Sequence, residues 1–250
     1  MDSLPLKDRV ALVTGATRGI GYQAALGLAR AGAHVIALGR TQGGLEALDD
    51  EIFAATGAHA TLVPIDLKAP EGLDPLGAHI FERWGRLDIL VHAAAVLGGI
   101  TPTGHIDLKK WDETVAVNLT ASWRLIRSLE PLLRVAPAGR AIFLTTGRVA
   151  RPKAFWGAYA ATKAGMEALV RCWADELETT NVRAVLLDPS TMRTRMRAEA
   201  MPGEDPATVT HPAEIAPLIV HLAQADLGLP HSTVVFNDWK TAGGLPPTNG

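Results

Sequence analysis

The chain has 250 residues, of which 48% are hydrophobic and 20% are charged, and its formal net charge at pH 7 is −2. This length and composition fit one large α/β domain with a sizeable core. Because it lacks a basic excess, a block of like charge and an apolar run long enough to span a bilayer, we expect neither nucleic-acid nor membrane binding. The single cysteine, Cys172, excludes an internal disulfide. We expect it to be a small core residue in a reducing, cytoplasmic compartment.

The N-terminal segment predicts a strand, a glycine-rich turn and a helix. The apolar run at 9–14 is typical of a strand covered on both faces, and a helical pattern occupies 22–31. Between them lies Gly15-Ala16-Thr17-Arg18-Gly19-Ile20-Gly21. Glycines there let backbone N–H groups approach a pyrophosphate at the positive end of the helix. The position of these glycines between a strand and a helix favours a dinucleotide-binding site over an ordinary glycine-containing turn.

The second predicted strand, 34–38, is followed by Arg40. Enzymes that prefer NAD usually have an acidic residue here, about twenty residues past the glycines, which accepts from the ribose 2′-hydroxyl. Arg40, together with Arg18 in the turn, suits a 2′-phosphate instead. NADP is therefore favoured over NAD, although two solvated surface arginines would give the same pattern.

The remaining pattern alternates helices and strands. Helices are predicted at 45–55, 73–83, 108–135 (broken at Pro131), 158–180 and 212–225, and strands at 60–65, 87–92, 140–145, 182–187 and 232–237. An excursion at about 190–211 would border the substrate. Six alternating strands followed by a seventh predict one α/β Rossmann domain over 1–250, with a doubly wound, seven-stranded parallel sheet and helices on both faces.

A tyrosine and a lysine lie four residues apart in the predicted helix at 158–180, within Tyr159-Ala160-Ala161-Thr162-Lys163. That spacing places both side chains on one helix face. An ammonium beside a phenol lowers the pKa of the phenol, so Tyr159 is a candidate proton donor to a carbonyl oxygen. The same spacing of Tyr and Lys also arises by chance. It indicates a catalytic site only together with a cofactor site and a third polar group.

Taken together, these residues resemble the short-chain dehydrogenase/reductase family over nearly the whole chain. The landmarks are Thr14-Gly15-x-x-x-Gly19-Ile20-Gly21, Asp66, Asn118, Tyr159-x-x-x-Lys163, and Pro189 followed by Thr194. The segments 156–159 and 193–197 are similar to the bacterial oxoacyl (beta-ketoacyl) reductase-like branch. The resemblance implies an NADP(H)-dependent homodimer or homotetramer that transfers hydride to or from a small carbonyl or secondary alcohol substrate, with acyl thioesters among the candidates. No metal-ligand spacing is present.

The resemblance also implies roles for individual residues. Tyr159 exchanges the proton, Lys163 binds the nicotinamide ribose, Asn118 anchors a relay water, and Thr146 replaces the usual serine as the hydroxyl that holds the substrate oxygen. The implied cofactor-binding residues are Gly15, Thr17, Arg18, Gly19, Ile20, Gly21, Arg40, Asp66, Leu67, Ala93, Ala94, Tyr159, Lys163, Pro189, Thr191 and Thr194.

Two motifs depart from the family pattern. The family's Asn-Asn-Ala-Gly is His92-Ala93-Ala94-Ala95 here, and its Pro-Gly is Pro189-Ser190. We expect His92 to be a hydrogen-bonded structural histidine. The departures leave open a non-catalytic NADP(H)-binding sensor or scaffold, but the intact Asn118, Tyr159 and Lys163 favour an active enzyme.

The substrate is less constrained than the cofactor. Cationic side chains border the expected cleft mouth and suit either an anionic substrate or a solvated rim, whereas Trp156 and Met196 suit an apolar pocket. The cationic residues are Arg148, Arg151, Lys153, Arg193, Arg195 and Arg197.

Overall fold

The core of the fold is one parallel sheet. The computed structural model describes residues 4–225 and 233–244, and the strands there follow the order β3-β2-β1-β4-β5-β6-β7. The predicted fold class is confirmed. The strands are β1 (Val10–Thr14), β2 (His34–Gly39), β3 (Thr61–Pro64), β4 (Ile89–His92), β5 (Gly139–Leu144), β6 (Val182–Asp188) and β7 (Val234–Val235).

Helices cover both faces of this sheet. The α-helices are α1 (Gly19–Arg30), α2 (Gln42–Thr56), α3 (Pro70–Leu73), α4 (Leu76–Trp84), α5 (Leu108–Val115), α6 (Ala121–Val135), α7 (Gly157–Glu176), α8 (Arg195–Ala200), α9 (Ala216–Leu222) and α10 (Phe236–Thr241). A π-helical segment, Ala116–Thr120, joins α5 to α6, and short 3-10 turns lie at Thr103–His105, Pro206–Thr208 and Pro212–Ile215. No helix of the described residues combines the length and the apolarity needed to cross a membrane.

The strands are apolar throughout because both of their faces are buried. Alternate residues of β1 enter different cores: Ala11 and Val13 pack with α1, α2 and α9, whereas Val10 and Leu12 pack with α4, α6 and α7. The chain builds outward from β1 to β3 and then returns to place β4 on the other side of β1. In open parallel sheets this reversal leaves a crevice at the carboxyl ends of the two central strands.

Three local predictions were wrong. Helix α6 continues through Pro131 because one lost backbone hydrogen bond is offset by burial of Leu129, Leu132 and Leu133 around it. Cys172 is exposed, since it lies on the face of α7 away from the sheet.

The third wrong prediction concerns the last strand. The predicted strand at 232–237 is limited to Val234–Val235 and runs directly into α10, and residue 232 lies outside the described residues. The apolar residues that indicated a strand there are partly core contacts of a helix, since Phe236 is buried.

Candidate active site

A cleft of about 490 Å³ lies at the carboxyl ends of β1 and β4. Of the predicted site residues, Asn118, Thr146 and Thr191 lie outside its lining, and Thr191 is exposed. Thr145 lines the cleft but was not predicted from the sequence. The only feature of the sequence that could have indicated it is its position next to Thr146. The predicted residues that line the cleft are Gly15, Thr17, Arg18, Gly19, Ile20, Gly21, Arg40, Asp66, Leu67, Ala93, Ala94, Tyr159, Lys163, Pro189 and Thr194.

The glycine-rich turn packs too closely for side chains. Gly15 has a φ of +69°, and a Cβ there would lie 2.9 Å from the Cα of Ala94. A Cβ at Gly21 would lie 2.4 Å from the carbonyl oxygen of Gly15. The turn therefore holds the start of α1, with its unpaired N–H groups, at the floor of the cleft, which is a favourable place for an anion.

Charged side chains gather in the cleft where β2 and β3 end. One Arg40 guanidinium nitrogen lies 4.0 Å from a carboxylate oxygen of Asp66 and 3.9 Å from one of Glu113. Lys68 is closer to Glu113, at 3.2 Å. Exposed ion pairs of this length contribute little stability, so the Arg40 guanidinium can turn toward another anion at small cost.

Tyr159 and Lys163 are both buried beside the cleft, with 8% and 2% of their surface exposed. The ring of Trp156 lies 6.0 Å from that of Tyr159, and Leu97 and Met196 pack in the same small apolar cluster. The Lys163 ammonium donates to the carbonyl oxygen of Leu144 at 2.6 Å. Both side chains therefore face the end of the cleft formed by β5, α7 and α8.

The protonation of this pair differs from the prediction. Burial, followed by the nearby Asp188 carboxylate, raises the pKa of Tyr159 to about 12, and burial lowers the pKa of Lys163 to about 8. The prediction of a lowered Tyr159 pKa is wrong for the polypeptide by itself. The physical reason is that removal of water disfavours the phenolate, and the Asp188 carboxylate acts in the same direction.

Asn118 holds the π-helical segment in place. Its amide oxygen accepts from the Val96 N–H at 2.9 Å, and its amide nitrogen donates to the Val96 carbonyl at 2.9 Å and to the Thr162 hydroxyl at 3.1 Å. The side chain thus binds the loop after β4 on one side and α7 on the other. The role of Asn118 as the anchor of a relay water stays a prediction.

His92 links the end of β1 to the same π-helical segment. Its Nδ1 lies 2.8 Å from the Thr14 hydroxyl and its Nε2 lies 3.0 Å from the Ser122 hydroxyl. Because the Ala94 N–H donates to Thr14 and Ser122 donates to the Asn118 carbonyl, His92 accepts at Nδ1 and donates at Nε2. Burial and the Lys163 charge lower the pKa of His92 to about 3, which keeps this neutral form.

The loops after β5 and β6 carry the other departures from the family pattern. The Thr146 oxygen accepts from the Arg148 N–H at 3.3 Å, which leaves its own hydroxyl proton free to donate. Ser190 has a φ of +59°, in the left-handed region that favours glycine, and its side-chain oxygen accepts from the Asn237 N–H at 3.3 Å. Ala93, Ala94 and Ala95 line the cleft with ordinary negative φ angles.

Comparisons with known proteins agree with this arrangement. The family model for short chain dehydrogenase matches residues 9–205. The chain is 37% identical over 223 residues to the uncharacterized oxidoreductase YciK of Escherichia coli (strain K12), with 88% of each chain covered. It is 29% identical over 198 residues to the 2,3-dihydro-2,3-dihydroxybenzoate dehydrogenase of Bacillus subtilis (strain 168), covering 79% and 75% of the two chains.

Solved structures give the same result. A short chain dehydrogenase from Shigella flexneri 2a str. 301, complexed with NADP, has a TM-score of 0.86 and 36% identity, covering 89% of this chain and 94% of that one. One from Escherichia coli CFT073, complexed with NADPH, has a TM-score of 0.88 and 34% identity, covering 94% and 99%. This chain belongs to the short-chain dehydrogenase family, and the prediction of an enzyme of that family is confirmed. The oxoacyl reductase branch stays a prediction.

Proposed function

We propose that the protein is an NADP(H)-dependent oxidoreductase that transfers hydride between the nicotinamide and a carbonyl or secondary alcohol carbon. The observation that carries this proposal is the meeting of the glycine-rich turn, Tyr159 and Lys163 in one cleft. Family membership and the NADP and NADPH complexes of its structural relatives support it.

Different residues of the cleft suit the successive parts of NADP(H). The crowded glycines and the start of α1 suit the pyrophosphate, and Arg18 and Arg40 suit the 2′-phosphate. Asp66 and Leu67, which line the cleft, would face the adenine, and Pro189 and Thr194, which also line it, would face the nicotinamide. When bound, NADPH supplies the hydride, and the polypeptide supplies orientation and the proton.

The proton is assigned to Tyr159. Its hydroxyl is protonated at neutral pH, which is the form needed to donate to a carbonyl oxygen, and the pKa of about 12 makes it a weaker acid than an ordinary tyrosine. The second hydroxyl is assigned to Thr146, which lies just outside the cleft lining beside Thr145 and has its own proton to donate to the same oxygen, and the Lys163 ammonium places positive charge beside the reacting groups. Around them, Leu97, Trp156 and Met196 offer apolar surface to the substrate.

The direct test is NADPH oxidation, followed by absorbance, with ketones, aldehydes, quinones and oxoacyl thioesters. Turnover with any of these, lost in Tyr159→Phe, is the expected result. NADPH binding without turnover on the whole panel would favour the sensor or scaffold alternative and contradict the proposal.

Cofactor preference gives a second prediction. Arg40→Asp removes the cation that suits the 2′-phosphate and supplies an acceptor for a 2′-hydroxyl. Charge-assisted hydrogen bonds are worth about 1.5–3 kcal/mol, so we expect the ratio of kcat/KM for NADPH to that for NADH to fall by roughly 10²-fold. Steady-state kinetics with both cofactors measure this ratio. Arg30→Asp, at an exposed arginine outside the cleft, is the matched control, and an unchanged ratio in Arg40→Asp would refute the assignment.

We also propose that the chain forms a homodimer or homotetramer. Leu108, Trp111 and Trp123 are exposed large apolar side chains on α5 and α6, and burial of such residues between subunits is favourable. Light scattering at micromolar concentration is expected to give a multiple of the 26.5 kDa chain mass. A mass of one chain over the whole concentration range would contradict this.

A further inference from the structure

Four charged side chains form a closed set in the cleft where β2 and β3 end. One Arg40 guanidinium nitrogen lies 4.0 Å from Oδ2 of Asp66 and 3.9 Å from Oε1 of Glu113. The Lys68 ammonium lies 3.9 Å from the same Asp66 oxygen and 3.2 Å from the same Glu113 oxygen. Each of these two carboxylate oxygens is therefore shared by two cations, and the formal charges of the four side chains cancel.

The two carboxylates differ in how firmly they are held. Oδ1 of Asp66 accepts from the Lys68 backbone N–H at 3.0 Å, so this side chain is fixed on its own loop. Glu113 reaches the set from α5, and among the described residues its carboxylate pairs with Arg40 and Lys68 alone. Ion pairs of partly exposed side chains contribute little stability, and a glutamate has several rotamers. Glu113 is therefore the carboxylate that another anion can displace.

The same set borders the space proposed for the adenosine ribose of the cofactor. Arg40, Asp66 and Glu113 line the cleft, and Lys68 follows Asp66 by two residues. A phosphate monoester carries a charge of about −1.5 to −2 at pH 7 and three acceptor oxygens. A 2′-phosphate therefore competes with the Glu113 carboxylate for the two cations, whereas a 2′-hydroxyl carries no charge and leaves the set intact.

We propose that Lys68 and Glu113 determine cofactor specificity together with Arg40. Lys68 is a second cation for the 2′-phosphate, and Glu113 is the counter-ion that this phosphate displaces from both cations. This inference rests on the proposed function, which supplies the cofactor. Its consequence is that Glu113 weakens the binding of NADPH, because its displacement costs free energy, and has little effect on NADH.

The first test is Glu113→Gln, which keeps the size of the side chain and removes its charge. Because the displaced ion pairs are partly exposed and individually weak, we expect about fivefold tighter binding of NADPH and a change of less than about twofold for NADH. Fluorescence titration gives the Kd of each cofactor without any substrate. Asp112→Asn, at an exposed carboxylate of α5 outside the cleft lining, is the matched control and should leave both Kd values near those of the parent.

The second test removes the proposed second cation. Lys68→Met keeps most of the length of the side chain, and loss of a charge-assisted contact should weaken NADPH binding by about tenfold while NADH binding stays near the parent value. Lys109→Met, at an exposed lysine of α5 outside the cleft lining, is the control. In the Lys68→Met background the gain from Glu113→Gln should be smaller, because one of the two cations that Glu113 holds is absent.

The outcomes separate this inference from the proposed function. An unchanged ratio of the two Kd values in Glu113→Gln, weaker NADPH binding, or equal changes for NADPH and NADH would overturn the role of Glu113. The expected shifts in a protein that reduces no carbonyl would support the inference and contradict the proposed function. Turnover with NADPH, at an affinity that is the same in the parent, Glu113→Gln and Lys68→Met, would support the proposed function and overturn the inference.

Discussion

Replacement of Tyr159 by phenylalanine is expected to reduce kcat/KM by about 10³-fold or more, because proton transfer by a positioned side chain contributes up to ~10⁴-fold and Tyr159 is the proposed donor. The substitution removes one hydroxyl and keeps the ring that packs with Leu97 and Trp156. The cleft shape should therefore persist, and NADPH affinity, measured by fluorescence titration, should change little.

The matched control for this substitution is Tyr22→Phe. Tyr22 lies on α1 and donates to a carboxylate oxygen of Glu51 at 2.5 Å, outside the cleft lining. Its loss should leave turnover near the parent value. Comparable activity in Tyr159→Phe and Tyr22→Phe would remove Tyr159 from the mechanism.

Replacement of His92 by leucine is expected to lower the free energy of unfolding by roughly 2–4 kcal/mol, since each buried polar group left without its partner costs about 1–3 kcal/mol. The variant leaves the Thr14 hydroxyl without its acceptor and the Ser122 oxygen without its donor, both in fully buried positions. Chemical denaturation measures the change. His79→Leu, at an exposed histidine of α4, is the control and should change stability by no more than about 0.5 kcal/mol.

His92 also predicts a pH dependence of stability. Its pKa is about 3 in the folded protein, against an ordinary value of 6.5. Between these values the unfolded chain binds a proton that the folded chain does not, so the contribution of His92 is complete above pH 6.5 and is lost as the pH falls toward 3. Thermal unfolding at neutral and acidic pH should show a steeper acid loss for the parent than for His92→Leu. Equal slopes would mean that His92 is not held neutral by its surroundings.

Many of the elements could be predicted because their signals are local. The glycine-rich turn between an apolar run and a helical pattern is a short stretch of chain, and the structure places it at the predicted end of β1. The doubly wound parallel sheet followed from the alternation of strands and helices along the chain, and the order of its strands came from the structure. The departure at Pro131 arose where packing against neighbours outweighs local propensity, whereas Cys172 is exposed because of the face of α7 on which it lies.

In the candidate site, too, the features that could be predicted come from residues close together in the sequence. Tyr159 and Lys163 share one helix, so their spacing alone indicated a pair. The contacts of Asn118 with Val96 and Thr162, and the chain of hydrogen bonds through His92, join residues far apart in sequence and leave no periodic pattern.

The sequence by itself therefore determined the class of fold, the family, the turn suited to a dinucleotide and the Tyr-Lys pair, because each depends on residues close together in the chain. Only the tertiary structure decided the protonation of Tyr159, Lys163 and His92. A pKa depends on burial and on charges brought near by folding: burial, followed by Asp188, raises the pKa of Tyr159, and burial lowers the pKa of Lys163 and of His92.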